Sequence, residues 1–460
     1  MAITEWYVDP SKQTRTAVTI ANSTTTATVT QVGHGYANSD VVKIHGATES
    51  AYNGNFTISN VTANTYDYTM ASDPGGSATG SPLASKLNLS GDDGTSDATA
   101  YADLQYLFEV ETANTTDGDR IWLKRGTEEV FANDFYWAIN DWGTNPGFTT
   151  AKSIEGYEMQ GATRVRAIAR INANETVSTN STGLFGHYSF SHLHIYDYNS
   201  DKVGNSRSSF YNCWLQGLRG VAIAAIYDRC LISDMGKYGA NSYGIFSNSS
   251  FRFVNCHIVA GPNYFNSHYL HYNHRDHVVN TTYHVPEGVT TGYSHSLTII
   301  GAYDNAQLTG CSFLCEGTES GSLDAVRASN NGYMNRMTDN LIEGFGGGMY
   351  VGGTGEPKHV VGYNGYFNNT TDKPDDATAL VSLDYRDKDE SYAASPFAKQ
   401  GAIVLDDFYD DNAAFWASRD AYFANTKVGN AGTEGFAADY KGAIPPEPAS
   451  ASPKHPLARF

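Results

Sequence analysis

The sequence predicts an all-β solenoid, a parallel β-helix, because one short phrase recurs between residues 189 and 342. In most copies a polar residue or Gly precedes a small or apolar residue, and a branched or aromatic residue follows two positions later. The small or apolar positions form a column that contains Leu193, Cys213, Cys230, Cys256, Cys311 and Asn340. Short strands that return at intervals of roughly 20–50 residues are typical of coils stacked along an axis.

Each copy of the phrase is too short for a helix and is bounded by turn-forming residues, which favours strand–turn–strand. The steps along the column are 20, 17, 26, 55 and 29 residues, and the step of 55 fits either two coils or one coil with a long excursion. Four of the five Cys residues occupy the column. Because free Cys packs as a small apolar residue, we expect the column to face the solenoid interior without disulfides.

Composition supports a β-rich chain, with 45 Gly and 31 Tyr but only 7 Met among 460 residues. The formal net charge of −19 argues against a nucleic-acid partner, since phosphate binding requires a basic face. No apolar run is long enough to span a membrane, and the first residues do not form a secretory signal. A protein made in a cytoplasm and exposed outside it without a signal is expected to be a virion component.

Along the chain, residues 1–14 predict a first strand that ends at Pro10. Residues 15–83 predict a small β-domain of about five short strands, and residues 98–110 have helical spacing. The solenoid is predicted over residues 86–444. Residues 445–460 contain five Pro and are expected to form an extended arm.

Three turn-and-strand phrases in residues 15–83 resemble a small β-domain of tailed-phage structural proteins. They are Gly33-His34-Gly35-Tyr36, Asp40-Val41-Val42-Lys43-Ile44-His45-Gly46 and Tyr52-Asn53-Gly54-Asn55-Phe56. Three other pieces resemble the N-terminal end of right-handed parallel β-helix proteins of the tailspike and pectate-lyase-like kind. They are Trp6-Tyr7-Val8-Asp9-Pro10, Gly91-Asp92-Asp93-Gly94-Thr95-Ser96 and Gly118-Asp119-Arg120-Ile121-Trp122-Leu123. Residues 394–397 and 438–444 resemble the closing phrases of the same family. The resemblance implies an N-terminal capping helix and an inserted domain at 15–83.

A His-rich and aromatic stretch lies within the long interval of the column. Glycan-binding or interface residues are expected among Tyr264, Tyr269, Tyr272, His268, His271 and His274. Aromatic rings flanked by Asn and His can stack on sugars, but they can equally bury a loop or a subunit contact. His271 and His277 share one side of a strand and are candidates for metal ligands. Surface or interface His residues are the favoured interpretation, so no metal or other cofactor is predicted.

Paired carboxylates on a solenoid face could hydrolyse a glycan. The candidates carried forward are Asp304, Glu316, Asp324 and Glu343. No pair has a defined separation in the sequence, and acids in solvated turns are common in a chain of this charge. The catalytic phrases of polygalacturonase-like and pectate-lyase-like β-helices are absent from the coils, which favours a non-catalytic protein.

The sequence therefore predicts a structural protein on the exterior of a tailed-phage virion, either a tailspike or tail fibre or a capsid decoration. The expected partners are two further copies in a homotrimer, other virion proteins and host-surface polysaccharide. One alternative is a polysaccharide depolymerase, a hydrolase or lyase. Another is a bacterial surface adhesin, which the missing signal makes less favourable.

Overall fold

The structure is a computed structural model. It describes residues 4–111, 119–132, 152–173, 188–197, 209–216, 221–222, 226–234, 245–246, 252–259, 268–270, 277–288, 290–291, 298–300, 307–319, 324–329, 336–352, 359–362, 364–369, 381–385 and 390–424.

Two long sheets dominate the described residues. Sheet 1 has thirteen strands there, and all pair in parallel except the hairpin of its third and fourth strands. Its strands are Glu5–Val8, Arg120–Lys124, Lys152–Gln160, Thr163–Arg166, Tyr188–Ser191, Ser209–Tyr211, Ile226–Asp228, Arg252–Val254, His277–Val279, Gln307–Thr309, Arg336–Thr338, His359–Gly362 and Val381–Tyr385.

Sheet 2 has eleven strands in the described residues, each parallel to its neighbours. They are Glu129–Val130, Ala169–Asn172, Leu193–Tyr196, Trp214–Gln216, Leu231–Ser233, His257–Val259, Thr282–Val285, Ser312–Cys315, Leu341–Glu343, Gly365–Phe367 and Glu390–Ser391. From Arg120 onward the chain passes from sheet 1 to sheet 2 once per coil. This alternation between two long parallel sheets is consistent with a parallel β-helix.

The corner between the two sheets explains the recurring phrase. Its first residue has a positive φ in copy after copy; these residues are His192, Asn212, Arg229, Asn255, Asn280, Gly310 and Asp339. Asn, Asp and Gly tolerate this left-handed conformation better than other residues, which accounts for the polar residue or Gly at that position. The corner N–H donates to the next coil, as Asn212 N does to Asp228 O over 3.0 Å.

The second residue of the phrase points into the interior. Leu193, Cys213, Cys230, Cys256, Cys311 and Asn340 are all fully buried. Strand register adds three members to the column, which are Ala169, Thr281 and Asn364. Thr281 lies between Cys256 and Cys311, so the interval of 55 residues contains two coils. The five Cys residues are free.

Aromatic residues stack along the inner face of sheet 1. Phe190, Phe210, Tyr227 and Phe253 occupy successive strands, and their ring centroids are 4.7–5.0 Å apart. One hydrophobic core runs from Trp6 to Tyr366. The stacked coils therefore share a continuous interior.

A third sheet and two short strand pairs complete the parallel strands. Sheet 3 contains His268–Leu270, Thr298–Ile300, Asp324–Ser329 and Gly347–Gly352. Val221–Ala222 pairs with Ile245–Phe246, and Thr290–Thr291 pairs with Thr318–Glu319. All of these pairings are parallel.

Residues 16–86, the small unit, are antiparallel and have a core of their own. Four strands form one sheet: Thr16–Ala17, Val41–Ala47, Gly54–Thr57 and Gly80–Lys86. Three form another: Thr19–Ser23, Thr26–Thr30 and Thr65–Thr69. Two 3-10 turns lie at Pro10–Lys12 and Ser50–Tyr52. The small unit lies in the chain between Glu5–Val8 and Arg120–Lys124, which pair with each other in sheet 1.

A buried charge network joins the small unit to the first coil. Lys43 contacts Asp103, and its Nζ lies 3.0 Å from Glu129 Oε1. Asp103 also caps the helix Leu104–Val110 by accepting from Tyr106 N at 2.7 Å. All three charged groups are fully buried, and burial raises the pKa of Glu129 above its ordinary value. Removing one partner of such a network is costly because it leaves a buried charge uncompensated.

The C-terminal part of the described chain leaves the coils. Residues 395–424, the strap, lie on the outer face of sheet 2 and contain the helices Asp407–Asp410 and Asn412–Tyr422. The sequence-based range of 86–444 expects coils here, whereas the last described strand of sheet 2 ends at Ser391. The strap is helical because Asp411 caps the second helix, accepting from Ala414 N at 3.1 Å, and because Phe415 and Trp416 face the sheet.

Candidate functional site

Two of the four carboxylates proposed from the sequence meet beneath the strap. Glu316 follows the strand Ser312–Cys315 of sheet 2, and Glu343 ends the adjacent strand, Leu341–Glu343. Lys399 of the strap lies between them, with Nζ 3.2 Å from Glu316 Oε1 and 2.7 Å from Glu343 Oε1. Side-chain exposure is 19% for Glu316, 5% for Glu343 and 31% for Lys399. We call this cluster the latch.

Further polar groups complete the latch. Glu316 Oε2 accepts from His284 Nε2 at 3.0 Å and from Tyr422 OH at 2.7 Å. Ser395 Oγ donates to Glu343 Oε2 at 2.6 Å. The hydrogen bond from His284, with further bonds from Tyr422 and Lys399, lowers the pKa of Glu316 to about 2. Burial, followed by the nearby Glu316, raises the pKa of Tyr422.

This arrangement is poorly suited to acid–base catalysis. A glycosidase requires a carboxylic acid that stays protonated near neutral pH, whereas Glu316 is held as a carboxylate. Lys399 occupies the space between the two carboxylates, and the strap covers them. The latch instead fastens the strap to the coils through charge-assisted hydrogen bonds.

The other residues proposed from the sequence are spread over the molecule or lie outside the described residues. Asp324 lies in sheet 3, where its backbone pairs with Gly347. His268 and Tyr269 are in another strand of sheet 3 and pair with Thr298 and Ile299. The candidates outside the described residues are Asp304, Tyr264, Tyr272, His271 and His274.

His277 is on the outer face of sheet 1, half-buried between Arg252 and Gln307 on the neighbouring strands. Within the described ranges, no group of three His, Cys, Asp or Glu side chains is placed to hold a metal ion. No helix in the same ranges is long and apolar enough to cross a membrane.

The outer face of sheet 1 forms a second surface, which mixes polar and apolar residues and which the sequence did not single out. From Ser209 to Thr309, each three-residue strand places its middle residue inside and its first and third residues outside. None of the ten outward residues is buried. A period-two pattern of polar and apolar residues in these strands could have revealed the face, but three residues are too few to distinguish it from a turn.

No protein-family model and no curated protein matches this chain. Among solved structures, it is similar to the Gp54 tailspike of Acinetobacter baumannii bacteriophage AP22, solved in complex with A. baumannii capsular saccharide. The identity is 11%, the TM-score is 0.25, and the match covers 85% of this chain and 65% of the tailspike, just under two thirds of its length.

A second similar structure is the catalytic unit of a thermostable GH87 α-1,3-glucanase from Streptomyces thermodiastaticus strain HF3-3. Here the identity is 10% and the TM-score 0.29, with 82% of this chain and 87% of that one covered. With TM-scores this low, neither similarity transfers a substrate, an activity or an assembly to this chain. The fold defines the class, an all-β protein built on long parallel sheets.

Proposed function

We propose that the protein is a structural component of the exterior of a tailed-bacteriophage virion, and that it binds host-surface glycan through the outer face of sheet 1. The observation that carries the binding proposal is that none of the ten outward residues in five successive described strands of this face is buried. An extended, evenly repeating surface matches an extended, repeating ligand such as a polysaccharide.

The latch supports binding over hydrolysis. Its two carboxylates are committed to Lys399, and the pKa of Glu316 is far below the range of a general acid. A depolymerase would need another pair of acids.

The phage assignment is supported by the resemblance of residues 15–83 to a phage structural β-domain. In this proposal the small domain is inserted into a right-handed β-helix and contacts other virion proteins at the tail or the capsid. The helix Leu104–Val110 would cap the first coil, since Leu104 and Leu107 belong to the solenoid core. The solenoids would associate as a closed homotrimer through their lateral faces.

The proposal is tested with purified phage particles and with the purified chain. Mass spectrometry should detect the protein in particles, and the chain should sediment as a trimer. It should bind capsular polysaccharide of the host without releasing reducing ends or unsaturated products. Steady release of such ends, retained in a Glu316→Gln variant, would establish a depolymerase with a different site. Absence from the particles would overturn the phage assignment.

A further inference from the structure

One row of side chains on the outer face of sheet 1 has the opposite charge balance from the rest of the chain. The row occupies one register position of five successive strands, and we call it the open row. Its members are Ile226, Arg252, His277, Gln307 and Arg336. None is buried, and Ile226 is 44% exposed. The row contains no acid, although the chain has 49 Asp and Glu residues against 30 Lys and Arg.

Arg252 is the principal cation of the open row. Its side chain is exposed, and no hydrogen bond or ion pair joins that side chain to another described residue. The neighbouring strand places His277 directly beside it. Burial, and then the charge of Arg252, lower the pKa of His277 below its ordinary value. With its pKa lowered, His277 is neutral near pH 7 and can exchange hydrogen bonds, so Arg252 is the charged group of this pair that an anion would meet.

The adjacent outward row provides surfaces of a different kind. It contains Asp228, Val254, Val279 and Thr309. Asp228 is the one acid in these four positions, and the Asn255 side chain approaches it at 3.5 Å. The two Val side chains offer half-exposed aliphatic contact, and Thr309 offers a hydroxyl. Charged, aliphatic and hydroxyl groups side by side suit a sugar chain that carries acidic groups.

We propose that the open row binds a carboxylate-bearing polysaccharide lying along the solenoid axis, with Arg252 pairing the sugar carboxylate and Gln307 donating to the next residue of the polymer. This inference rests on the proposed glycan-binding function and specifies its ligand. Arg252 and Arg336 are three strand spacings apart, roughly 14 Å. A duplex nucleic acid carries one charge per ~1.7 Å, so this sparse row matches a sparsely charged polymer far better.

The test uses the full chain and three acidic polymers: polygalacturonate, alginate and hyaluronan. Each is paired with its carboxyl-reduced, neutral form. At least one acidic polymer should bind, more weakly as salt is added, and its neutral form should bind less well. Arg252→Gln should weaken binding of the acidic form about tenfold or more, because it removes a charge-assisted hydrogen bond.

Lys86→Gln is the matched control. It makes the same change in net charge in the small unit, where Lys86 Nζ pairs with Asp40 Oδ2 at 2.7 Å, and it should bind like the parent chain. Equal binding of acidic and neutral forms, unaffected by Arg252→Gln, would overturn this inference and leave glycan adhesion standing. Failure to bind any of the acidic polymers, while host capsule is bound, would overturn it as well.

Loss of binding to host capsule and to every polymer would reject both the inference and the proposed adhesion. Arg252→Glu provides one further check, by size-exclusion chromatography with light scattering. An unchanged oligomeric state in this variant supports the view that the open row does not contact another copy of the chain. A change of state would mean that the open row contacts a second copy of the chain, and the inference would fall.

Discussion

The outer faces of sheets 1 and 2 belong to the same coils but have different surroundings. On sheet 2, Trp214 and Leu231 point outward and are buried by the strap. On sheet 1, Ser209 and Ile226 of the same two coils point outward and stay in contact with solvent. A coil thus presents one face that is completed by a distant segment and another that is available for a ligand.

The difference follows from side-chain chemistry, since the backbone path is alike. Large apolar residues on sheet 2 gain free energy when covered, about 25 cal/mol per Å² of apolar surface. On sheet 1 the outward residues include Asp228, Arg252 and Gln307, whose polar groups would lose hydration under the same cover. The strap therefore selects sheet 2, and the latch fixes it at Glu316 and Glu343.

The largest expected effect is on the covered face. Phe415→Ala should lower the free energy of unfolding by about 3–5 kcal/mol, because it empties a fully buried aromatic site between the strap and sheet 2. Ile226→Ala on the open face should change it by about 0.5 kcal/mol or less. Urea unfolding measures both, and amide exchange of residues 395–424 locates the loss. A similar loss of unfolding free energy in Phe415→Ala and Ile226→Ala would contradict the proposed difference between the covered and the open face.

A smaller effect is expected at the latch. Lys399→Met should lower the free energy of unfolding by about 1–3 kcal/mol. Glu343 stays buried with fewer partners, and the two carboxylates, no longer bridged by a cation, repel each other. The value is below that of a fully buried pair, since Lys399 is 31% exposed. Lys86→Met is the matched comparison, with 29% exposure but one carboxylate partner, and should cost about 0–1 kcal/mol. If both variants lost the same free energy of unfolding, the bridge from Lys399 to two carboxylates would stabilise the protein no more than a single ion pair does.

The smallest expected effect is a pH dependence of the stability that Glu316 contributes by holding the strap. The folded-state pKa of Glu316 lies below its ordinary value of 4.5, so its contribution to stability is full above pH 4.5 and is lost as the pH falls toward 2. The difference in thermal stability between the parent chain and Glu316→Gln should therefore narrow across this range. A difference that stays constant from pH 5 to pH 2.5 would show that the carboxylate charge is not what holds the strap.

Local sequence was enough to predict the interior of the coils and insufficient for their exterior. The recurring phrase combines a left-handed corner such as Asn255 with a small inward residue such as Cys256, and both requirements are local. Thr281 was missed in the same column because Thr is polar, although its hydroxyl satisfies a backbone donor, Cys256 N, at 3.4 Å. The latch could not be predicted, since Glu316 and Lys399 are far apart in sequence.

The sequence by itself determined the stacked strands, their corners and the buried column, because turn chemistry and residue size act within a few positions of the chain. Only the tertiary structure decided that residues 395–424 fold back over sheet 2 and that Lys399 bridges Glu316 and Glu343. It also decided that the outward residues of the described strands around Arg252 keep contact with solvent. Those outcomes depend on which distant surfaces gain most from being buried together, and no local pattern records that choice.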